Sequence, residues 1–512
     1  MLKLKEHIAP TGEIILYIGK PNLHLLNELV LKEGDIWHSG LEQGYKNAFP
    51  EVVYQAVAYF WYINDFDGLD KCVSWRINPN AFAVRKKVWD SLNGVDLDYD
   101  NIQMSALDFG FNTLRYQGGI PLHVKGLFEP VKEKVILSVK DIYTFYRKNF
   151  KKSHSIYMLA RQGFWKLKGI KAYRNAQRNF EFKDKKNQLK PRELNPIQGT
   201  PKVSYIIPTM MRQEFTVNLL KDLENQTYKP NEVIVVDATP KEKRDVSLYN
   251  SENYSFKVVF KWQITKGSCR ARNEAIALCT GDYIVFGDDD IRVQSDFIEN
   301  HIRLLQTYKA EACNGLDIRA EHQQQDLKDL EIKLNGLRAK RWKVGAAQGF
   351  SNANSCVSKR VVDKLIGNDI NYDGGYGEDA DFGLEITKLG VTVLNNPFSV
   401  NLHLKPPQGG YRFWGKQSSL KGKNRKKQPW ELDTPVKWIV PKPSPTIMYL
   451  LFKHYNKRQR KEYKIKYFVF YFTKASKIEL PLKVIKFPLK VLQFNKSVFY
   501  AKKLMKLGKR TE

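Results

Sequence analysis

Three consecutive carboxylates, Asp288, Asp289 and Asp290, end an apolar run and pose the first chemical question. Adjacent carboxylates repel one another, and holding three at the end of a buried segment is costly unless a cation shares the site. A hard divalent ion, Mn2+ or Mg2+, meets that need and keeps positions open for phosphate oxygens. A solvated acidic turn would use the same residues, so the triplet alone decides nothing. A second acidic pair, Glu378 and Asp379, follows the glycine-rich stretch 374–377 and opens a helical pattern. A carboxylate there can take the proton of an attacking hydroxyl. The same residue types also cap helix N-termini without any chemistry. In a third segment Lys266, Gly267 and Ser268 precede a helical pattern carrying Arg270 and Arg272. Such a start can present backbone N–H groups and cations to a diphosphate, although basic helix starts are also common on solvated faces.

These groups need elements to position them. Between residues 200 and 415 strand-like and helix-like runs alternate, which predicts an α/β domain. A short apolar strand from Val203 ends at Pro208 and Thr209, and a buried-type strand from Glu232 ends at Asp237. A further strand from Asp282 leads straight into the triplet. Ligands of open α/β sheets collect at the carboxyl ends of strands, so Pro208, Thr209, Asp237 and the triplet fall where a nucleotide is expected.

The whole chain, 512 residues, predicts two or three domains. Residues 1–130 have a globular texture, 131–199 form a basic helical segment breaking into a polar linker at 184–198, and 416–512 are basic with interleaved aromatics. Lys and Arg outnumber Asp and Glu by 84 to 54, a net +30 that draws polyanions. No nucleic-acid motif is present, so no nucleic-acid partner is expected. The basic, aromatic tail suggests an amphipathic region resting on an anionic membrane surface, with a solvated charged face as the plainer alternative. The five cysteines are scattered and never spaced C-x-x-C, against a disulfide framework or zinc site. With no apolar leader at the N-terminus and no run of the ~20 residues a span requires, the expected location is cytoplasmic, peripheral on the inner face of the membrane.

Residues 79–110 align without gaps to residues 352–383: Lys86, Gly94, Asp96, Tyr99 and Asp108 fall on Lys359, Gly367, Asp369, Tyr372 and Asp381, all 273 positions on. The first copy places Ser105 and Ala106 where the second has Glu378 and Asp379. Its nominal D-x-D, Asp65 to Asp67, lies much nearer the repeat than the triplet does. The first region is therefore expected to be non-catalytic, serving acceptor binding or packing.

The ordered set (the strand with Pro208 and Thr209, the strand with Asp237, then Gly267, Arg272, the triplet and Glu378-Asp379) resembles a family 2 glycosyltransferase of GT-A fold over about 215 residues. The resemblance implies a catalytic GT-A domain at 200–415, preceded by a partial, degenerate GT-A-like module. It implies an inverting, metal-dependent transferase that moves a sugar from a nucleoside-diphosphate sugar to a glycan or lipid-linked acceptor, in surface polysaccharide synthesis. Pro208, Thr209, Asp237, Lys266, Gly267, Arg272, Asp288 and Asp289 would then bind the donor. Asp288, Asp290 and His403 would hold the metal, and Asp379, with Glu378 beside it, would be the base. Two other classes fit parts of the pattern: a polyanion- or membrane-binding scaffold with a vestigial sugar-nucleotide site, and a nucleotidyltransferase.

Overall fold

The computed structural model describes residues 3–39, 68–129, 137–182, 188–411, 427–474, 476 and 478–512, with backbone only at 339 and 340. The Asp65–Asp67 triplet of the first region, and much of the stretch expected to begin the basic tail, lie outside the described residues. Six strands form the N-terminal sheet: β1 (Lys5–Ile8), β2 (Ile14–Ile18), β3 (Ile36–His38), β4 (Lys71–Val73), β5 (Phe82–Arg85) and β6 (Pro121–Val124). Eight form the central sheet: β7 (Val203–Thr209), β8 (Glu232–Asp237), β9 (Lys257–Trp262), β10 (Tyr283–Gly287), β11 (Ile291–Val293), β12 (Ala312–Arg319), β13 (Asn354–Ser358) and β14 (Val393–His403). Their spatial orders are β1-β2-β5-β3-β6-β4 and β11-β14-β12-β13-β10-β7-β8-β9.

In the central sheet β10, β7, β8 and β9 run parallel. Strands β7 and β8 are buried at every residue, as parallel strands covered on both faces must be. Pro208 can sit in β7 because β10 pairs only as far as Ile206, leaving the proline laddered on one side, to β8. Gly287, the last residue of β10, has no room for a side chain: a Cβ there would lie 2.3 Å from the hydroxyl of buried Tyr205.

The internal repeat is visible in three dimensions. β2-β5-β3-β6 and β10-β13-β12-β14 share one pairing pattern, antiparallel, antiparallel, parallel. Tyr99 donates to Asp108 at 2.8 Å, and its counterpart Tyr372 donates to Asp381 at 3.0 Å. The correspondence continues past the aligned residues into three helices, 139–149, 152–162 and 167–179 in the first copy, 445–454, 457–473 and 487–507 in the second. Lys148 and Asn149 end the first helix of one set and bind Asp96, Asp98 and Asp108. Lys453 and His454 end the first helix of the other and bind Asp369 and Asp381. Each copy is thus half a sheet plus a helical trio. The second alone is preceded by the parallel half, β7 to β9.

Two regions pack more closely than their polar composition suggests. The described part of the 184–198 linker is a strap: Arg192, Asn195 and Gln198 are hydrogen-bonded to Tyr308, Thr307 and Gln306 on successive positions of helix Phe297–Tyr308. The basic tail likewise does not simply face outward. Met448, Tyr449, Leu450, Leu451, Phe494, Tyr500, Ala501 and Leu504 join one core with Phe382 and Leu384 of the Glu378–Lys388 helix. That core supplies its own test. Leu504→Ala should cost about 2–5 kcal/mol in chemical denaturation, and Leu482→Ala, at an exposed position, no more than about 0.5 kcal/mol.

Candidate functional site

The carboxyl ends of β7, β8 and β10 bring the expected residues together. Thr209 ends β7, buried, and donates to Asp289 Oδ2 at 2.8 Å while accepting from Thr216 at 3.1 Å. Asp237 ends β8 and is fully buried. It accepts from the Thr239 amide at 2.7 Å and the Tyr249 hydroxyl at 3.0 Å. Burial raises its pKa despite those two hydrogen bonds. Pro208 pairs in register with Val236 next to it.

Each carboxylate of the triplet has a cationic partner, two of them the same one, and that relieves their mutual repulsion. Asp288 accepts from Arg272 Nη2 at 2.7 Å. Asp289 and Asp290 share Arg212 Nη1, at 3.0 and 2.9 Å. Burial still lifts the Asp289 carboxyl to about 7, against the pull of Arg212. Asp290 is also buried, but its hydrogen bond to His403 and the nearby cations hold it below the usual carboxylate range.

His403 reaches the triplet through strand register. β11 pairs antiparallel with β14, so Ile291 faces His403 and the Leu404 amide donates to Asp290 O at 2.8 Å. The imidazole lies between two carboxylates, Nε2 at 3.3 Å from Asp290 Oδ1 and Nδ1 at 3.0 Å from Asp317 Oδ1. Burial alone would depress its pKa; the hydrogen bonds to Asp290 and Asp317 prevail and raise it to about 10. One ligand atom each from Asp288, Asp290 and His403 fall within 4.8 Å of one another. Two carboxylates and an imidazole whose other nitrogen is tied to a carboxylate suit a divalent cation such as Mn2+. Asp289, turned toward Thr209 and Arg212, is outside that group.

Across the site, Gly377 takes a left-handed φ of 104° that favours glycine and starts the Glu378–Lys388 helix. Asp379, half-buried in its first turn, accepts from Asn352 Nδ2 at 2.6 Å. Arg272 lies between the two acidic groups: fully buried, bonded to Asp288, and kept charged against desolvation by Asp288, Asp379 and Glu378 together. Its Nε and Nη1 are buried without a hydrogen-bond partner among the described residues, donors suited to an anionic ligand.

At the start of helix Ser268–Ile276 one amide is already engaged within the protein. The Cys269 amide donates to Asp373 Oδ1 at 2.8 Å, and a Cβ on Gly267 would lie 2.2 Å from that carboxylate. An anionic side chain from the loop before Asp379 thus caps the helix. Burial raises Asp373 to about 6, despite the amide bond. Lys266 is half-buried just ahead of this helix.

Asp373, Arg212, Asp317 and Asn352 were all missed by the sequence reading. Asp373 and Asn352 fall inside the 352–383 repeat, Arg212 and Asp317 in no motif. Each joins the site only through a pairing between residues 27 to 104 positions apart, and single-chain spacing carries no signal for that.

Residues 204–366 match the family model described as glycosyl transferase family 2. AmsB of Erwinia amylovora, named as an amylovoran biosynthesis glycosyltransferase, is 32% identical over 106 residues, 20% of this chain and 35% of AmsB. WcaA of Escherichia coli, named for colanic acid biosynthesis, is 30% identical over 95 residues, 18% of this chain and 34% of WcaA. The chain therefore spans about a third of the length of these relatives. Among solved structures, the mannosyltransferase PcManGT of Pyrobaculum calidifontis with GDP-Man and Mn2+ has a TM-score of 0.34 at 16% identity, covering 61% of this chain and 89% of that one. Residues 1–349 of S. aureus TarS with UDP-GlcNAc give 0.38 at 15% identity, covering 59% and 81%.

If Asp317 orients His403 for a cation, Asp317→Asn should weaken Mn2+ binding about 10–100-fold in calorimetry with little loss of fold stability.

Proposed function

The central domain of this chain belongs to glycosyltransferase family 2, and from that premise we propose that the protein transfers a sugar, with inversion, from a nucleoside-diphosphate sugar to a hydroxyl of a glycan or lipid-linked acceptor in surface polysaccharide synthesis. The observation that carries this reading is the placing of Arg272, bonded to Asp288 on one side and within electrostatic reach of Asp379 and Glu378 on the other. That spans the two functions such a transfer needs, a seat for the diphosphate and a base for the acceptor.

Pro208, Thr209 and Asp237, at the ends of β7 and β8, would hold the nucleoside, with Lys266 and Gly267 flanking the donor. Asp288, Asp290 and His403 would hold a divalent cation, which neutralises charge growing on the departing diphosphate. Arg272 would add its unpartnered N–H groups to the same oxygens. Arg212 leaves Asp289 and Asp290, or shifts on them, when the donor brings in its own charge. Asp379, positioned by Asn352, accepts the acceptor's hydroxyl proton as that oxygen bonds to the anomeric carbon and the carbon–phosphate oxygen bond breaks. Attack from the face opposite the leaving group inverts the centre, by the geometry that governs inverting glycosidases.

Peripheral membrane association is also part of the proposal, carried by a smaller surface than the whole basic tail. Among the described residues no helix is long and apolar enough to cross a membrane. Ile478, Leu482, Val484, Ile485, Leu489 and Leu492 are exposed, and Lys483, Lys486 and Lys490 are interspersed with them. Apolar side chains among cations suit an anionic bilayer surface.

Asp379→Asn should lower the transfer rate about 10²–10⁴-fold while Mn2+-dependent nucleotide binding persists. Loss of binding instead would refute the base assignment, and release of pyrophosphate rather than a nucleoside diphosphate would identify a nucleotidyltransferase. For the membrane surface, Leu482→Glu with Ile485→Glu should abolish co-sedimentation with phosphatidylserine vesicles and leave stability intact; unchanged sedimentation removes the membrane reading.

A further inference from the structure

The two copies of the repeat differ outside the reactive centre as well as within it. In the second copy the chain beyond the third helix crosses the 369–371 turn. The Arg510 amide donates to Asp369 Oδ1 at 3.3 Å, Arg510 Nε to Asn371 Oδ1 at 2.9 Å, and the Ile370 amide to Arg510 O at 2.8 Å. That space is filled. In the first copy the equivalent turn carries Asp96 and Asp98, and between it and the end of the third helix is an open pocket of about 610 Å³. Among the described residues the matching place in the second copy is occupied by Arg510, so the pocket belongs to the first copy alone. The volume is in the range of small-molecule sites.

The walls identify a class of occupant. Asp96, Asp98 and Glu181 are balanced by Arg147, Lys148 and Arg178, so the pocket has no net charge to attract a phosphate or polyanion. Lys148 is already committed to the two aspartates, bonding Asp98 at 2.7 Å and Asp96 as well. Two donors are left over: Arg147 Nε and Gln177 Nε2 are buried and have no hydrogen-bond partner among the described residues. Buried donors without acceptors are costly, and a ligand rich in oxygen acceptors relieves that cost. Phe180 adds an aromatic wall, half-buried and with Lys148 Nζ 5.6 Å from its ring centre. Planar amide, guanidinium and carboxylate groups beside an aromatic face match a ligand that is donor and acceptor at once and has apolar C–H faces, namely a polyol ring.

We propose that this pocket of the N-terminal module binds one or two residues of a neutral glycan, holding the acceptor chain while the central domain extends it. The proposal rests on the glycosyltransferase reading for its purpose. The pocket's binding property can be measured apart from it.

The test is saturation-transfer NMR on the full chain with methyl glycosides of glucose, galactose, mannose, N-acetylglucosamine and fucose, each challenged with inorganic phosphate. At least one glycoside should bind and phosphate should not displace it. Gln177→Leu, and separately Asn179→Ala at an exposed residue that also lines the pocket, should weaken that binding at least ten-fold, while Asp379→Asn should not alter it. Binding of no glycoside, displacement by phosphate, or binding that survives both pocket variants would overturn the proposal. Nucleoside diphosphate with Mn2+ is titrated into the same samples. If that fails while the glycoside result holds, the transferase reading falls and the pocket stands; the reverse pattern removes the pocket alone.

Discussion

Asp381 holds this molecule together around its reactive centre. Its carboxylate is buried, accepts from Tyr372, and meets Lys453 and His454 at 2.9 and 2.6 Å. Burial would raise its pKa, but the hydrogen bond from His454 and the charge of Lys453 keep it ionised. Removing one partner of such a buried cluster strands the others, an expensive outcome. The first turn of the helix carrying Asp379 is thus fixed to the C-terminal helices by charge as well as by apolar packing. A related device recurs at Asp108, which accepts from Tyr99 and Asn149 while Lys148 binds Asp96 and Asp98; Ser105 and Ala106 stand there in place of Glu378 and Asp379.

Charge balance within the donor side follows a related logic. Three adjacent carboxylates are tolerable because two arginines and a histidine share them. A guanidinium paired with a carboxylate is also the group type that pairs with phosphate oxygens, and a carboxylate the type that binds a divalent cation. Arg212 is the pivotal member, since a single Nη1 bridges Asp289 and Asp290.

What the sequence conveyed divides along physical lines. The β7, β8 and β10 strand ends were legible because buried parallel strands read as unbroken apolar runs and their polar ends stand out. The triplet, Arg272 and Asp379 were legible because they sit in short local motifs. His403 was reachable only as a lone histidine late in the chain; the β11–β14 register that aims it at Asp290 has no local signature. The extent of the repeat was under-read because only Lys148 and Lys453, with the residue after each, keep their chemistry between helices whose apolar residues have drifted. The tail could not be divided from sequence because an apolar residue between lysines looks the same whether it turns inward, as Leu504 does, or outward, as Ile485 does.

The strap at residues 192–198 affects how the chain can vary. A flexible connector absorbs extra residues cheaply, about 0.6 kcal/mol for each doubling in length, because only closure entropy changes. A connector bonded to Tyr308, Thr307 and Gln306 in turn has a register, like a strand in a sheet. One inserted residue would move each later bond off its partner. Arg192, whose guanidinium also reaches the Lys32 carbonyl at 3.1 Å, ties that register to the N-terminal module. The strap therefore adds a register to the core the two copies already share, and length changes in this family of sequences should collect elsewhere.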